Sequence, residues 1–361
     1  MLSEQFDAVV VGGGAVGAAV AYELQRRGAR TLLLERGRVA GGASCGAGGM
    51  LAPQVEAHGP GPLLRLGLEA RSLFAALERE LPFGFDLRLN GILRLAYRPE
   101  QMEELEGRAR WQREMGLEAR ILDPAAVREL CPPAAAALGG LWVPDGQLEP
   151  ERLTLALAAG AVALGAEVRE GTGVLSWSPG RVETAAGPVL CEHLVLAAGA
   201  WTSQLAGLPV FPVKGQRLML RATGLRLPMT VWGDCYLVPK SGGRVLAGAT
   251  QEAQAGFDPR VTLGAVQRLA QSAAAVVPAL VGAELIEAWA GFRPATPDEL
   301  PVVGPLGEAH GVWVASGHFR NGILLAVLTG RLLAEAILEG GPLPPELLPS
   351  RFARVDPPKR T

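Results

Sequence analysis

The stretch Phe6-Asp7-Ala8-Val9-Val10-Val11-Gly12-Gly13-Gly14-Ala15-Val16-Gly17 decides the fold, together with Thr31-Leu32-Leu33-Leu34-Glu35 downstream of it. Ala8 to Val11 is an apolar run without polar alternation, as expected of a strand covered on both faces. Gly12, Gly14 and Gly17 fill the pattern G-x-G-x-x-G. Val16, Ala19, Val20 and Leu24 follow at helical spacing, and Gly28 is placed to end that helix. A second apolar run then closes on the acid Glu35. Each part has a physical role in holding a dinucleotide. Gly12 permits the tight turn, Gly14 lets a pyrophosphate reach the backbone, and Gly17 lets helix and strand pack closely. The helix N-terminus offers N–H groups and a partial positive charge to phosphate. Glu35 supplies an acceptor for a ribose hydroxyl. The glycines alone are weak evidence. Strand, turn, helix, strand and acid in series are strong, but they do not separate NAD from FAD.

The 361 residues are 49% hydrophobic and 19% charged, with formal net charge −2, which suffices for a large core and two domains. Near-neutral charge without a basic tract argues against nucleic acid as a partner. Cys45, Cys131, Cys191 and Cys235 are widely spaced and read as free thiols of a reducing compartment. No leader pattern precedes the first strand, so a cytoplasmic location is expected. Leu153 to Ala166 is apolar but shorter than the roughly 20 residues of a membrane span. The four histidines are scattered, and no metal site is expected.

Further along, Gly41 to Leu51 forms a second glycine cluster, whose N–H groups and Ser44 hydroxyl suit a loop following a ligand. Gly42 to Gly46 also fits G-x-S-x-G. A nucleophile elbow needs a strand directly before it and a helix after, and neither is expected here. Helices are expected over Leu63–Leu81 and Glu100–Met115, the second as a solvated face. A short helix starts at Asp123-Pro124 and another at Pro150. Glu167 to Cys191 breaks into short runs separated by turns, reading as an antiparallel meander that includes Glu167-Val168-Arg169. The strand Leu194 to Ala198, ending in Gly199-Ala200-Trp201, follows it. A meander followed by such a strand, in place of another crossover helix, favours an FAD-binding fold over an NAD-binding one. Cys235 to Pro239 and Arg244 to Thr250 form a hairpin around Ser241-Gly242-Gly243, and Thr262 caps a helix ending before Pro278. The tail from Pro342 reads as loosely attached.

The expected fold class is therefore α/β. An FAD-binding Rossmann-like domain with a parallel sheet and β-meander (residues 1–82, 145–208 and 285–361) carries an inserted antiparallel α+β substrate domain (83–144 and 209–284).

Taken together, the glycine fingerprint, Glu35, Ala197-Ala198-Gly199-Ala200-Trp201, Ala290-Gly291-Phe292-Arg293-Pro294 and Gly317-His318-Phe319-Arg320-Asn321-Gly322 resemble the FAD-dependent D-amino-acid oxidase family over about residues 5 to 338. Met50-Leu51, Cys235 to Pro239, Gly248-Ala249-Thr250 and Arg320 to Leu325 resemble most its glycine oxidase branch of thiamine biosynthesis. The resemblance implies oxidation of glycine, sarcosine and small D-amino acids to the imine, with hydride passing from the neutral amine to flavin N5. Water then gives the 2-oxo acid and ammonia, oxygen reoxidises the flavin to yield hydrogen peroxide, and the imine feeds the thiazole of thiamine. No side-chain acid or base is required. The resemblance places Arg293 on the substrate carboxylate, with Tyr236 and Arg320 as further substrate contacts. It places Gly12, Gly14, Ala15, Val16, Gly17, Glu35, Arg36, Ala43, Ser44, Gly48, Gly49, Met50, Val174, Gly199, His318, Phe319, Arg320, Asn321, Gly322, Ile323 and Leu324 at cofactor positions. No cysteine lies near Arg293, so the FAD is expected to be non-covalent. Relatives are often tetramers, and a homo-oligomer is expected. Gln251 departs from the methionine common there and leaves the substrate range open.

By themselves these residues have plainer readings: Arg293 as a salt-bridging arginine, Tyr236 as a half-buried strand residue, Arg320 as a loop brace. Lys214 reads as a structural turn lysine rather than a group that activates oxygen. A planar guanidinium fork nonetheless suits a fixed carboxylate anion. Two other functions share the fold: a D-amino-acid or proline dehydrogenase using an acceptor other than oxygen, and a flavoprotein acting in RNA modification. Peroxide release on adding glycine separates the first from an oxidase, and the net charge weighs against the second.

Overall fold

The computed structural model describes residues 4–307 and 309–352. Its first sheet is built around the opening stretch. Strand β1 (Gln5–Val11) leads into helix α1 (Ala15–Arg26) and strand β2 (Thr31–Leu34), which returns parallel to β1. Gly28, at φ +91°, makes the turn out of the helix. The sheet runs Val302–Pro305, Val312–Ser316, Gly187–Leu196, β1, β2, Glu167–Arg169. Its central strands are parallel, and the unbroken apolar run of β1 is explained by burial on both sides: Ala8, Val9 and Val10 are all fully buried.

Two details differ from the sequence reading. Glu167–Arg169 is no part of the meander; it pairs parallel with β2 at the sheet edge. Its three residues follow a buried helix, Pro150–Ala163, that packs on α1 and brings the chain back from the second sheet to the edge of the first. The meander proper is Val174–Ser178, Arg181–Thr184 and Gly187–Leu196, and the last of these runs without a break into the parallel core.

The second sheet is ordered Glu284–Ala295, Phe211–Arg221, Arg244–Gly248, Tyr236–Lys240, Thr230–Trp232, Ile92–Ala96, Gly139–Val143, Arg120–Leu122. All neighbours are antiparallel except Thr230–Trp232 beside Ile92–Ala96. The boundary drawn at residue 285 falls within its first strand. A long apolar helix, Gly322–Glu339, packs back onto α1, with Gly330 against the backbone of Ala19.

The helix Pro99–Glu114 is less solvated than its charge pattern implies. Arg108 and Gln112 on its inner face are buried, and they hold a strap formed by residues 54–58. Arg108 Nη1 donates to the carbonyls of Val55 and Ala57, and Gln112 Nε2 donates to that of Gln54. Asp145, with no exposed surface, accepts from the N–H of Val55 at 2.8 Å and from Arg71 at 2.7 Å. A charged helix face can thus be an inner face when backbone groups need partners. The tail also differs from expectation as far as it is described. Leu347 is buried, and Arg351 pairs with Asp298 at 2.8 Å; residues 353–361 lie outside the described part.

Removing the Asp145 carboxylate leaves the Arg71 charge and two strap N–H groups without it. Asp145→Ala is expected to lower the unfolding free energy by about 3–5 kcal/mol, read as a drop in urea midpoint at unchanged slope.

Candidate active site and its cavity

A cavity of about 670 Å³ lies between the two sheets, within the range of small-molecule and cofactor sites. One end is built by the β1–α1 turn. Gly12 sits at φ +115°, where a Cβ would lie 2.4 Å from the Ala197 carbonyl oxygen. A Cβ on Gly17 would lie 1.9 Å from the Gly12 carbonyl, so Gly17 brings the helix against the turn without itself lining the cavity. Gly14 is the helix N-cap and brings no side-chain acceptor, and the first turn carries no acid. Ala15 N–H donates to Ser44 Oγ at 2.9 Å, which ties the second glycine loop to the helix end. Glu35 accepts from the N–H groups of Gly13 and Gly37, both at 2.7 Å, and is held at the cavity wall. Arg36 stacks 3.8 Å over the ring of Trp201 nearby.

Of the positions assigned to the cofactor, Gly12, Gly14, Ala15, Val16, Glu35, Arg36, Ala43, Ser44, Gly48, Gly49, Met50, Val174, Gly199, His318, Phe319, Arg320, Gly322 and Ile323 line this one cavity. Gly17, Asn321 and Leu324 do not. Asn321 is the N-cap of the helix Gly322–Glu339, and Leu324 is buried among core side chains. That helix also has no side-chain cap and no acid in its first turn, so its positive end meets the cavity uncompensated. His318 is buried; its Nε2 lies 2.9 Å from Thr329 Oγ1, while Nδ1 has no partner among the described residues.

The other end is the second sheet. Val213, Gly215 and Arg217 pair in register with Arg293, Gly291 and Trp289, so these alternate residues share the face turned to the cavity. The site side chains occupy space that glycines leave. A Cβ on Gly215 would lie 2.2 Å from Arg293 Nη1, one on Gly291 1.9 Å from the Trp289 ring, and one on Gly248 2.8 Å from the Tyr236 ring. From the facing loop, Gly46 and Gly48 make the same allowance for Trp289 and Tyr236. Arg293 Nη1 donates to the Thr250 carbonyl at 3.1 Å, and no carboxylate forms a salt bridge with Arg293 among the described residues. Burial raises the pKa of the Tyr236 phenol, against the opposing charge of Arg293, so the hydroxyl stays protonated and can donate. Gln251 also lines the cavity. Lys214 lies on the opposite face of its strand, buried between Glu252 and Asp258 at 3.7 and 3.6 Å.

The cavity has members the sequence reading did not name, chiefly Glu56, and two tryptophans, Trp232 and Trp289, stand in its wall. Glu56 carried no signal: it is one acid in a loop, with neither periodicity nor a motif around it.

Dinucleotide turn, glycine loop and two uncapped helix ends on one cavity define an FAD-dependent oxidoreductase. The uncapped helix ends and the unpartnered His318 Nδ1 are polar groups that a bound FAD would serve. The chain belongs to the DAO family of FAD dependent oxidoreductases, whose profile matches residues 7–336. It is 39% identical to a glycine oxidase of Geobacillus kaustophilus over 93% of this chain and 94% of that one. The crystal structure of glycine oxidase from that organism superposes with a TM-score of 0.91 at 37% identity, covering 97% of this chain and 99% of that one. A bifunctional protein ThiO/ThiG from Nostoc sp. is 37% identical over 92% of this chain and 53% of its own length. The family, fold class and FAD cofactor inferred from the sequence are those found. Among the described residues no helix is long and apolar enough to cross a membrane.

Burial lowers the pKa of His318 to about 4, below its ordinary 6.5. The unfolded chain therefore binds the extra proton first, and stability is lost as pH falls from about 6.5 towards 4. The thermal midpoint is expected to drop less between pH 7 and pH 5 in His318→Gln than in the parent.

Proposed function

We propose that the protein is a glycine oxidase. It would oxidise glycine, sarcosine and D-alanine to the 2-oxo acid, ammonia and hydrogen peroxide, and supply imine for thiamine thiazole synthesis. The observation that carries this reading is Arg293: a guanidinium on the cavity wall with a neutral carbonyl for a neighbour and no carboxylate bridged to it among the described residues. Such a group is an anchor for an anion brought by the substrate. The glycine oxidases similar along nearly the full chain support the same substrate class.

FAD, when bound, would supply the two-electron redox chemistry, with oxygen as the final acceptor. The chain's residues bind and orient. Arg293 takes the substrate carboxylate, and the Tyr236 hydroxyl adds a hydrogen bond that fixes its rotation. Trp232 and Trp289 wall the pocket with apolar surface, which excludes water and strengthens the ion pair. Arg320, on the loop before the helix Gly322–Glu339, closes the other side. No side-chain base is assigned, since the substrate reacts as the neutral amine. The glycine turns at Gly12 to Gly17 and Gly41 to Gly49 hold the dinucleotide, with Glu35 at its ribose. In this reading residues 1–82, 145–208 and 285–361 bind FAD and the remainder the substrate, with the second-sheet strand Glu284–Ala295 crossing that boundary. The reading carries with it a homo-oligomer and a cytoplasmic location.

Adding glycine anaerobically to the purified protein is expected to bleach the flavin band, and adding air to release peroxide. Bleaching without peroxide would make it a dehydrogenase. Arg293→Ala is expected to lower kcat/KM for glycine by roughly two to three orders of magnitude with FAD content retained. Gly215→Ala is expected to act through the same guanidinium, raising KM more than it lowers kcat. Retained glycine oxidation by Arg293→Ala would overturn the assignment.

A further inference from the structure

Glu56 is the one acid on the substrate side of the cavity whose placement looks constructed. Three side chains fix the strap that carries it. Asp145 accepts from the N–H groups of Gln54 and Val55, Arg108 donates to the carbonyls of Val55 and Ala57, Gln112 holds Gln54, and Arg108 Nη2 lies 2.9 Å from His58 Nδ1. With residues on both sides clamped, the Glu56 side chain projects into the cavity wall. Its Oε2 is buried, has no hydrogen-bond donor among the described residues, and stands 3.6 Å from Arg320 Nε. That separation gives charge compensation without a hydrogen bond. Burial raises the Glu56 pKa, and the guanidinium groups of Arg320, Arg293, Arg94 and Arg108 oppose the rise.

Among the charges on the cavity wall, Arg293 forms no salt bridge among the described residues and Arg320 is compensated by Glu56. One anion site is open and the second cation is already occupied. We infer that Glu56 is a specificity-determining residue: by neutralising Arg320 and placing its carboxylate charge at the pocket wall, it admits substrates with a single carboxylate and rejects those with a second anionic group. The inference rests on Arg293 as the carboxylate anchor of the proposed reaction. Its physical basis is unfavourable juxtaposition, since a second carboxylate brought towards Arg320 would meet Glu56 at close range in a partly desolvated space. Neutral extensions of the substrate escape this penalty.

The test uses the FAD-loaded enzyme and two readouts. Dissociation constants for acetate, malonate and succinate are taken from the perturbation of the flavin spectrum, and kcat/KM is compared for D-aspartate and D-alanine. In Glu56→Gln, succinate or malonate is expected to tighten about tenfold relative to acetate, and D-aspartate to gain by a similar factor relative to D-alanine. In Arg320→Gln, which leaves Glu56 uncompensated, the dicarboxylates are expected to weaken relative to acetate. Unchanged ratios in both variants, while acetate binds and Arg293→Ala abolishes that binding, would overturn the role of Glu56 and leave the proposed function standing. Acetate binding that ignores Arg293→Ala would overturn the anchor itself.

Discussion

The site depends on volumes that five glycines leave unfilled. Arg293, Tyr236 and Trp289 lie where β-carbons at Gly215, Gly248, Gly291, Gly46 and Gly48 would intrude, at distances from 1.8 to 3.2 Å. Three of those glycines are in the sheet beneath the side chains, and two come from the loop after β2. Two layers with hydrogen at the contact can approach closely enough to grip bulky planar groups between them. Most of these glycines have ordinary extended backbone, so their cause is space rather than conformation. Planar side chains held on two faces lose rotamer freedom during folding, before any ligand arrives, and that is the advantage of a preorganised pocket.

Much of the dinucleotide half was legible in the sequence because its signals are local. A strand, a glycine turn, an amphipathic helix and a terminal acid sit within thirty residues, and each part has its own periodicity. The second sheet was legible only in pieces. The hairpin at Ser241 to Gly243 announces itself through its turn, but nothing local says that Gly215 will pair with Gly291. Pairing across such sequence separation is set by packing of the whole sheet. The helix Pro99–Glu114 misled for a related reason. Its inward residues include Arg108 and Gln112 beside Leu105 and Ala109, and polar residues that serve a neighbouring backbone have the hydropathy of solvent-facing ones. Glu167–Arg169 misled because three residues cannot display a period that separates parallel from antiparallel pairing.

Of the residues lining the cavity, those inside sequence motifs were legible and Glu56, which stands in none, was not. Arg293 and Arg320 stand inside recognisable strings. Glu56 follows an unremarkable stretch, and its environment comes from Asp145 and Arg108, far away along the chain. A carboxylate acquires meaning here only through the groups that hold its backbone still.

The strand Glu284–Ala295 lies at the rim of the second sheet, and the end away from Arg293 carries Leu285 and Ile286 exposed. Glu284 and Glu287 on that end pair with Arg221 and Arg217 at 2.8 and 2.7 Å, beside an irregularity in the pairing at Met219/Leu220. Sliding the strand by one residue would invert its faces and turn the Arg293 guanidinium away from the cavity. The backbone pairing along this strand, with these ion pairs at its far end, sets the face on which Arg293 stands.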